Sequence, residues 1–193
     1  MANKDAAFGF RPVRTLSGGE IRTEEYSIAS TYTTAAIYTG QVVELVAGGG
    51  IEAAAAGDTQ QGGVFGGVFY TDPTTSKPTY SAYWPTSTAA TDAIASVYAN
   101  PEMVFEAQHD SDGGTLGTAA MNNSALDFVG VAGSTTTGIS TSELDTSTSG
   151  TGAGIKQIGI SKDPDNSDVA AVNVNAYCVF STGEHAYKLI TAV

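Results

Sequence analysis

The stretch GQVVELVAGGGIEAAAAGDTQQGGVFGGVFY, residues 40–70, constrains the fold more than any other part of the chain. Its apolar residues come in short runs, and glycine closes each run. A strand over 42–46 meets Gly48, Gly49 and Gly50, a turn that glycine fills at little steric cost. The chain returns over 51–55, turns at Gly57 and Asp58, and runs out over 64–70. The pattern reads as a β-meander. The pairs Gly62-Gly63 and Gly66-Gly67 carry no Cβ, which leaves room for β-bulges or for the close approach of another backbone.

The remainder is written in the same way. Glycine supplies 23 of 193 residues, Thr, Ser and Ala are abundant, and only 15% of residues are charged. A chain so poor in Leu, Glu and Lys favours short strands joined by turns. EEYSIASTYTTAAIYTGQVVELV alternates Tyr26, Ile28, Ile37, Val43 and Leu45 with small polar residues and reads as three strands. MVFEAQ, 128–131, 155–160 and 172–180 read as further strands, the last with Val172, Val174, Ala176, Cys178 and Phe180 on one face. ATDAIASVYAN fits one short helix with Asp92 near its start, or a strand opening at Val97-Tyr98. The expected fold is all-β: a compact barrel or sandwich-like domain with an extended N-terminal arm and at most one or two short helices. The expected division is an arm over 1–25 and a β-rich domain over 26–193, with a flexible Ser/Thr/Gly-rich loop near 133–154.

The arm stands out by charge. Net charge is -12, yet Lys4, Arg11, Arg14 and Arg22 place four of the eight basic residues in the first 22, against only Asp5 and Glu20. Within it, FGFRPVR gathers Phe8, Phe10, Arg11, Pro12, Val13 and Arg14, and Pro12 biases Arg11 towards extended backbone. These six residues are the candidate contacts to a partner. A second candidate surface is TDPTTSKPTYSAYWPTST, read as a long loop presenting Tyr80, Tyr83 and Trp84. So acidic a chain repels polyphosphate, which argues against nucleic acid as partner. With no apolar run near 18 residues and no signal-peptide pattern, neither a membrane partner nor secretion is expected, and the chain reads as soluble and intracellular when made.

Catalytic chemistry finds little to stand on. The two histidines, His109 in HDSDGG and His185 beside Glu184, read as solvated loop residues, and no G-x-S-x-G elbow accompanies them. HDSDGG and DPDNSD space oxygen ligands alternately but lack the terminal Glu of a calcium loop, so turns are expected there rather than metal sites. GTGAG lacks the pattern of a phosphate loop. Glu24 and Glu25 are adjacent and would face opposite ways on a strand. Cys178, the only cysteine, lies within an apolar alternation and reads as a buried, inert thiol. No enzyme activity, cofactor or metal is expected.

ANKDAAFGFRPVR, the GQVVELV and GDTQQGGVFGGVFY segments, VYANPEMVFEAQ, and IGISKDPDNSD with NAYCVFSTGEHAY together resemble tailed-bacteriophage head decoration, or capsid cement, proteins. The resemblance runs along nearly the whole chain. Phe8 to Arg14 all fit the opening motif, whereas Ala7 stands where proline is more usual. The resemblance implies a non-enzymatic protein on the outer surface of the virion capsid. It would be made in the host cytoplasm, clamp neighbouring major capsid protein subunits, and associate with itself as a homotrimer. Exposed aromatics on a loop leave a receptor- or glycan-binding virion module as the alternative, and a hydrolase of host surface polymers as a third reading.

Overall fold

A computed structural model describes residues 2–29, 32, 35–58, 61–110, 112, 125–130, 132–149, 154–181, 185 and 187. Among these residues the regular structure is β-strand, without an α-helix. Ile94–Tyr98, where a helix was one option, is a strand whose alternate residues Ala95 and Val97 are fully buried.

Two antiparallel sheets of six strands carry the fold. The first runs in the order β1 (Arg11–Thr15), β10 (Met103–Gln108), β14 (Asn175–Phe180), β13 (Ile155–Ile160), β11 (Ala125–Val129), β12 (Glu143–Ser149). The second runs β2 (Glu24–Ser27), β9 (Ile94–Tyr98), β6 (Gln61–Thr71), β4 (Val42–Leu45), β5 (Ile51–Ala53), with β7 (Pro78–Ser81) also on β6. A small third sheet pairs β3 (Ile37–Tyr38) with β8 (Tyr83–Trp84). Val42, Ala54 and Val64 from the second-sheet side join Phe10 and the inward residues of the first sheet, among them Phe105, Leu126, Phe128, Ile155, Cys178 and Phe180, in one buried cluster. The arrangement is sandwich-like and is not a closed barrel.

The glycine-rich stretch does not form a simple meander. β6 passes β5 and pairs with β4, leaving β5 at the margin. Its eleven residues explain the choice. One edge of β6 is covered along Val64 to Phe69 by β9, and the other is shared by β4 at one end and β7 at the other. A strand so fully paired belongs in the middle of a sheet, and its apolar content pays for that burial. The glycine pairs do mark bulges and close approach. Register shifts fall at Val43/Glu44 and Phe65/Gly67, and a Cβ on Gly63, whose φ is 132°, would collide with the carbonyl oxygen of Tyr98.

Two other expectations need correction. In the Ser/Thr/Gly-rich stretch, Glu143–Ser149 forms β12 against β11, and Leu144 is fully buried; residues 150–153 lie outside the described residues. In the stretch read as a long aromatic loop, the three aromatics lie on strands, Tyr80 on β7 and Tyr83 and Trp84 on β8. Cys178 is buried as expected, and burial pushes its thiol pKa well up.

Candidate functional site

The N-terminal segment is built into the body rather than standing off it. Gly9 adopts φ 74° and packs against Gly40 so closely that a Cβ there would lie 2.8 Å from the Gly40 carbonyl oxygen. The neighbouring Phe10 N–H donates to that same oxygen at 2.8 Å. This approach delivers the Phe10 ring, 1% exposed, into the core. Further back, Ala6 N–H donates to Gln108 Oε1 (2.9 Å), and the carbonyl of Lys4 accepts from Gln108 Nε2 (3.0 Å) and Asn166 Nδ2 (2.7 Å). Asn3 Nδ2 donates to the carbonyls of Asp168 and Val172 at 2.9 and 2.8 Å. A ladder of side-chain amides therefore sews residues 3–6 to the 166–175 turn and to β10. No apolar period announces such a ladder: Gln108 ends β10, but Asn3 and Asn166 lie outside the strands.

Of the six candidate contact residues, three are engaged within the chain. Phe10 is core. Arg11 lies opposite Glu106 in the β1–β10 register, its Nη2 2.6 Å from Glu106 Oε2, with the guanidinium 4.7 Å from the centre of the Phe8 ring. Glu106 is buried, so this pair shields a carboxylate that would otherwise be stranded. The other three form an open margin. β1 ends its sheet, and Pro12, which has no N–H, is half-buried. A bulge between Pro12 and Arg14 leaves Val13 outside the ladder and 39% exposed, and Arg14 is exposed. Phe8, Phe10, Arg11 and Pro12 also line a cavity of about 370 Å³ with Thr39, Gly40, Tyr98 and Ile139.

The aromatic trio is not brought together at the surface. Trp84 is 2% exposed, its ring edge-on to Tyr70 at 5.3 Å, and Tyr83 stacks on Tyr38 at 5.6 Å. Pairing of β8 with β3 buries Trp84 opposite Ile37 and leaves Tyr83 half-buried opposite Tyr38. Tyr80 alone is open, at 66%, lying along the sheet with its hydroxyl 3.3 Å from the Gly66 carbonyl.

The histidines are not solvated. His109 is buried with Nε2 2.9 Å from Gln157 Oε1, and burial lowers its pKa, which keeps the ring neutral. The adjacent Asp110 accepts from Thr146 N–H at 2.9 Å and from Thr146 Oγ1 at 2.5 Å. His185 is buried beside the Phe180 ring. Among the described residues no cluster of three or more His, Cys, Asp or Glu is arranged to hold a metal ion.

The acidic charge instead gathers at margins. Glu44 and Glu52 face each other directly across β4 and β5, and Asp58 closes on them from the following turn. Partial burial, then repulsion from Asp58 and Glu52, raises the Glu44 pKa to about 7. Glu143 is likewise raised to about 7, by burial first and then by Asp5, Asp110 and Asp112. No protein-family model, curated protein or solved structure matches the chain.

Proposed function

We propose that this chain is a non-enzymatic structural protein of a tailed-bacteriophage head, bound as a homotrimer to the outer surface of the capsid, where it stabilises contacts between major capsid protein subunits. The observation that carries the reading is the state of FGFRPVR, which with VYANPEMVFEAQ is the more specific part of the resemblance. Phe10 locks the segment into the core, while Val13 and Arg14 are held outward on an open sheet edge. A margin fixed in this way has little conformational entropy left to lose on docking against a protein neighbour.

The physical role follows from numbers of copies. A shell filled with DNA is under outward pressure, and many modest contacts that favour the intact lattice raise the barrier to rupture by mass action and avidity. The acidic body also stands off from nucleic acid. The glycan-binding alternative loses support, since Trp84 is buried and Tyr83 is half-buried with its ring stacked on Tyr38.

The test is the thermal rupture of DNA-filled shells lacking the protein, with and without the purified chain added back. Saturable binding and a higher rupture temperature are expected. Unchanged rupture at concentrations well above the number of shell sites would overturn the reading.

A further inference from the structure

One face of the second sheet is only half covered. On β9, Ile94, Ser96 and Tyr98 point to one side, opposite Ala95 and Val97, which are buried among Phe65, Val68 and Tyr70. At its Tyr98 end that side packs against the inter-sheet core, beside Val64, and borders the cavity lined by Phe8, Phe10 and Pro12. At its other end none of the described residues covers it. Phe69 lies directly opposite Tyr80 on β7 and Ile94 on β9, and these three neighbours are 49%, 66% and 44% exposed. Large apolar side chains in adjacent register on three paired strands form one contiguous stripe.

The charges around the stripe are mostly negative. Glu25 lies opposite Ser96, on the same side as Ile94; Asp92 and Asp72 flank the Thr71 end, where Lys77 is the one basic side chain of the β6–β7 turn. Two copies meeting stripe to stripe would oppose Glu25, Asp72 and Asp92 with like charges. The matching surface is on the chain itself: Val13, Leu16 and Ile21 are 39%, 53% and 43% exposed, Arg22 is paired with Glu20 at 3.0 Å, and the exposed Arg14 is the positive charge that the apolar β1 margin presents.

We infer that the Phe69–Tyr80–Ile94 stripe is a docking surface for a second copy of this chain, which lays its Val13–Arg14 margin there. The contact is head-to-tail, so each copy uses two different patches and the arrangement closes into a ring or continues as a chain. Apolar burial supplies attraction, and opposite charge at the rim sets orientation and excludes stripe-to-stripe pairing. The inference rests on the self-association proposed above but needs no shell: a monomeric wild type would remove both, whereas normal association of the Arg14→Glu protein would remove only the surfaces named here.

Light scattering and sedimentation of the purified full chain test it, using two variants at exposed positions, Arg14→Glu and Phe69→Asp, each checked for native circular dichroism and melting. If Phe69→Asp melts early, Tyr80→Lys replaces it. The wild type should self-associate, more weakly as salt rises, and each variant alone should be monomeric, with association weakened at least tenfold. Mixed, the variants should form a one-to-one heterodimer, because the intact stripe of one can receive the intact margin of the other. A monomeric wild type, an Arg14→Glu protein that associates normally, or a mixture that stays monomeric would each overturn the inference.

Discussion

Two sheet margins of this molecule solve the same problem with different means. β1 closes one sheet and β5 closes the other, and an edge strand gains only half the pairing of an interior one. β1 is held by an aromatic ring in the core, a glycine-to-glycine backbone contact and an arginine paired with a buried glutamate. β5 brings a glutamate against another glutamate with an aspartate beside them. In a chain with 20 acidic and 8 basic residues, cations are scarce, and the N-terminal segment holds four of them. The lesson is that the uneven charge distribution gives one margin a cation for its buried carboxylate and leaves the other with acidic neighbours that raise the pKa of Glu44.

The comparison breaks most visibly at Phe10. Phe10→Ala should cost about 3–4 kcal/mol, since it removes a fully buried ring and leaves a cavity between the sheets. Denaturant unfolding reads this directly, and a loss below about 1 kcal/mol would mean that the segment is an accessory to the body. Gly9→Ala should follow at about 2 kcal/mol, combining a left-handed backbone with a methyl group pressed on the Gly40 carbonyl, neither of which can relax cheaply. Hydrogen exchange at β1 should rise in this variant while β5 stays as it was.

At β5 the expected effect is smaller and changes with pH. Glu44 has its pKa raised in the folded protein, so folding binds a proton between the ordinary glutamate range and about pH 7. The stability it contributes is complete below that range and is lost as pH rises through about 7. Glu143 acts in the same direction. After allowance for solvent screening of these partly exposed groups, Glu44→Gln should stabilise the protein by about 1 kcal/mol at pH 8 and change little at pH 5. Melting curves across pH 5–8 that are parallel for variant and wild type would remove the retained proton from the account.

The sequence was legible where burial follows a local rhythm. β10, β13 and the core of β14 lie where alternation or apolar runs place them, and the glycine pairs of β6 are bulged as their missing Cβ atoms allow. It was not legible where distant partners decide. ELDTSTS has one large apolar residue, and its strand exists because β11 offers an edge. Trp84 sits in a two-residue strand, too short for any period, and is buried opposite Ile37. β4 takes β6 as a neighbour as well as β5 because an eleven-residue apolar strand gains most in the centre of a sheet, a choice that turn chemistry does not encode. At the candidate site, charge and aromatic content singled out FGFRPVR, but the division into three engaged and three open residues rests on Glu106 and Gly40, far away in sequence.

The central proposal is that this body binds the outside of a phage shell with its N-terminal strand folded in. Symmetry-resolved imaging of shells saturated with the full chain tests it most directly. The account predicts ordered density on the outer surface at a repeated lattice position, with residues 3–15 lying on their own domain. Shells that remain bare, or density in which the first 15 residues leave the domain as a free arm, would contradict it.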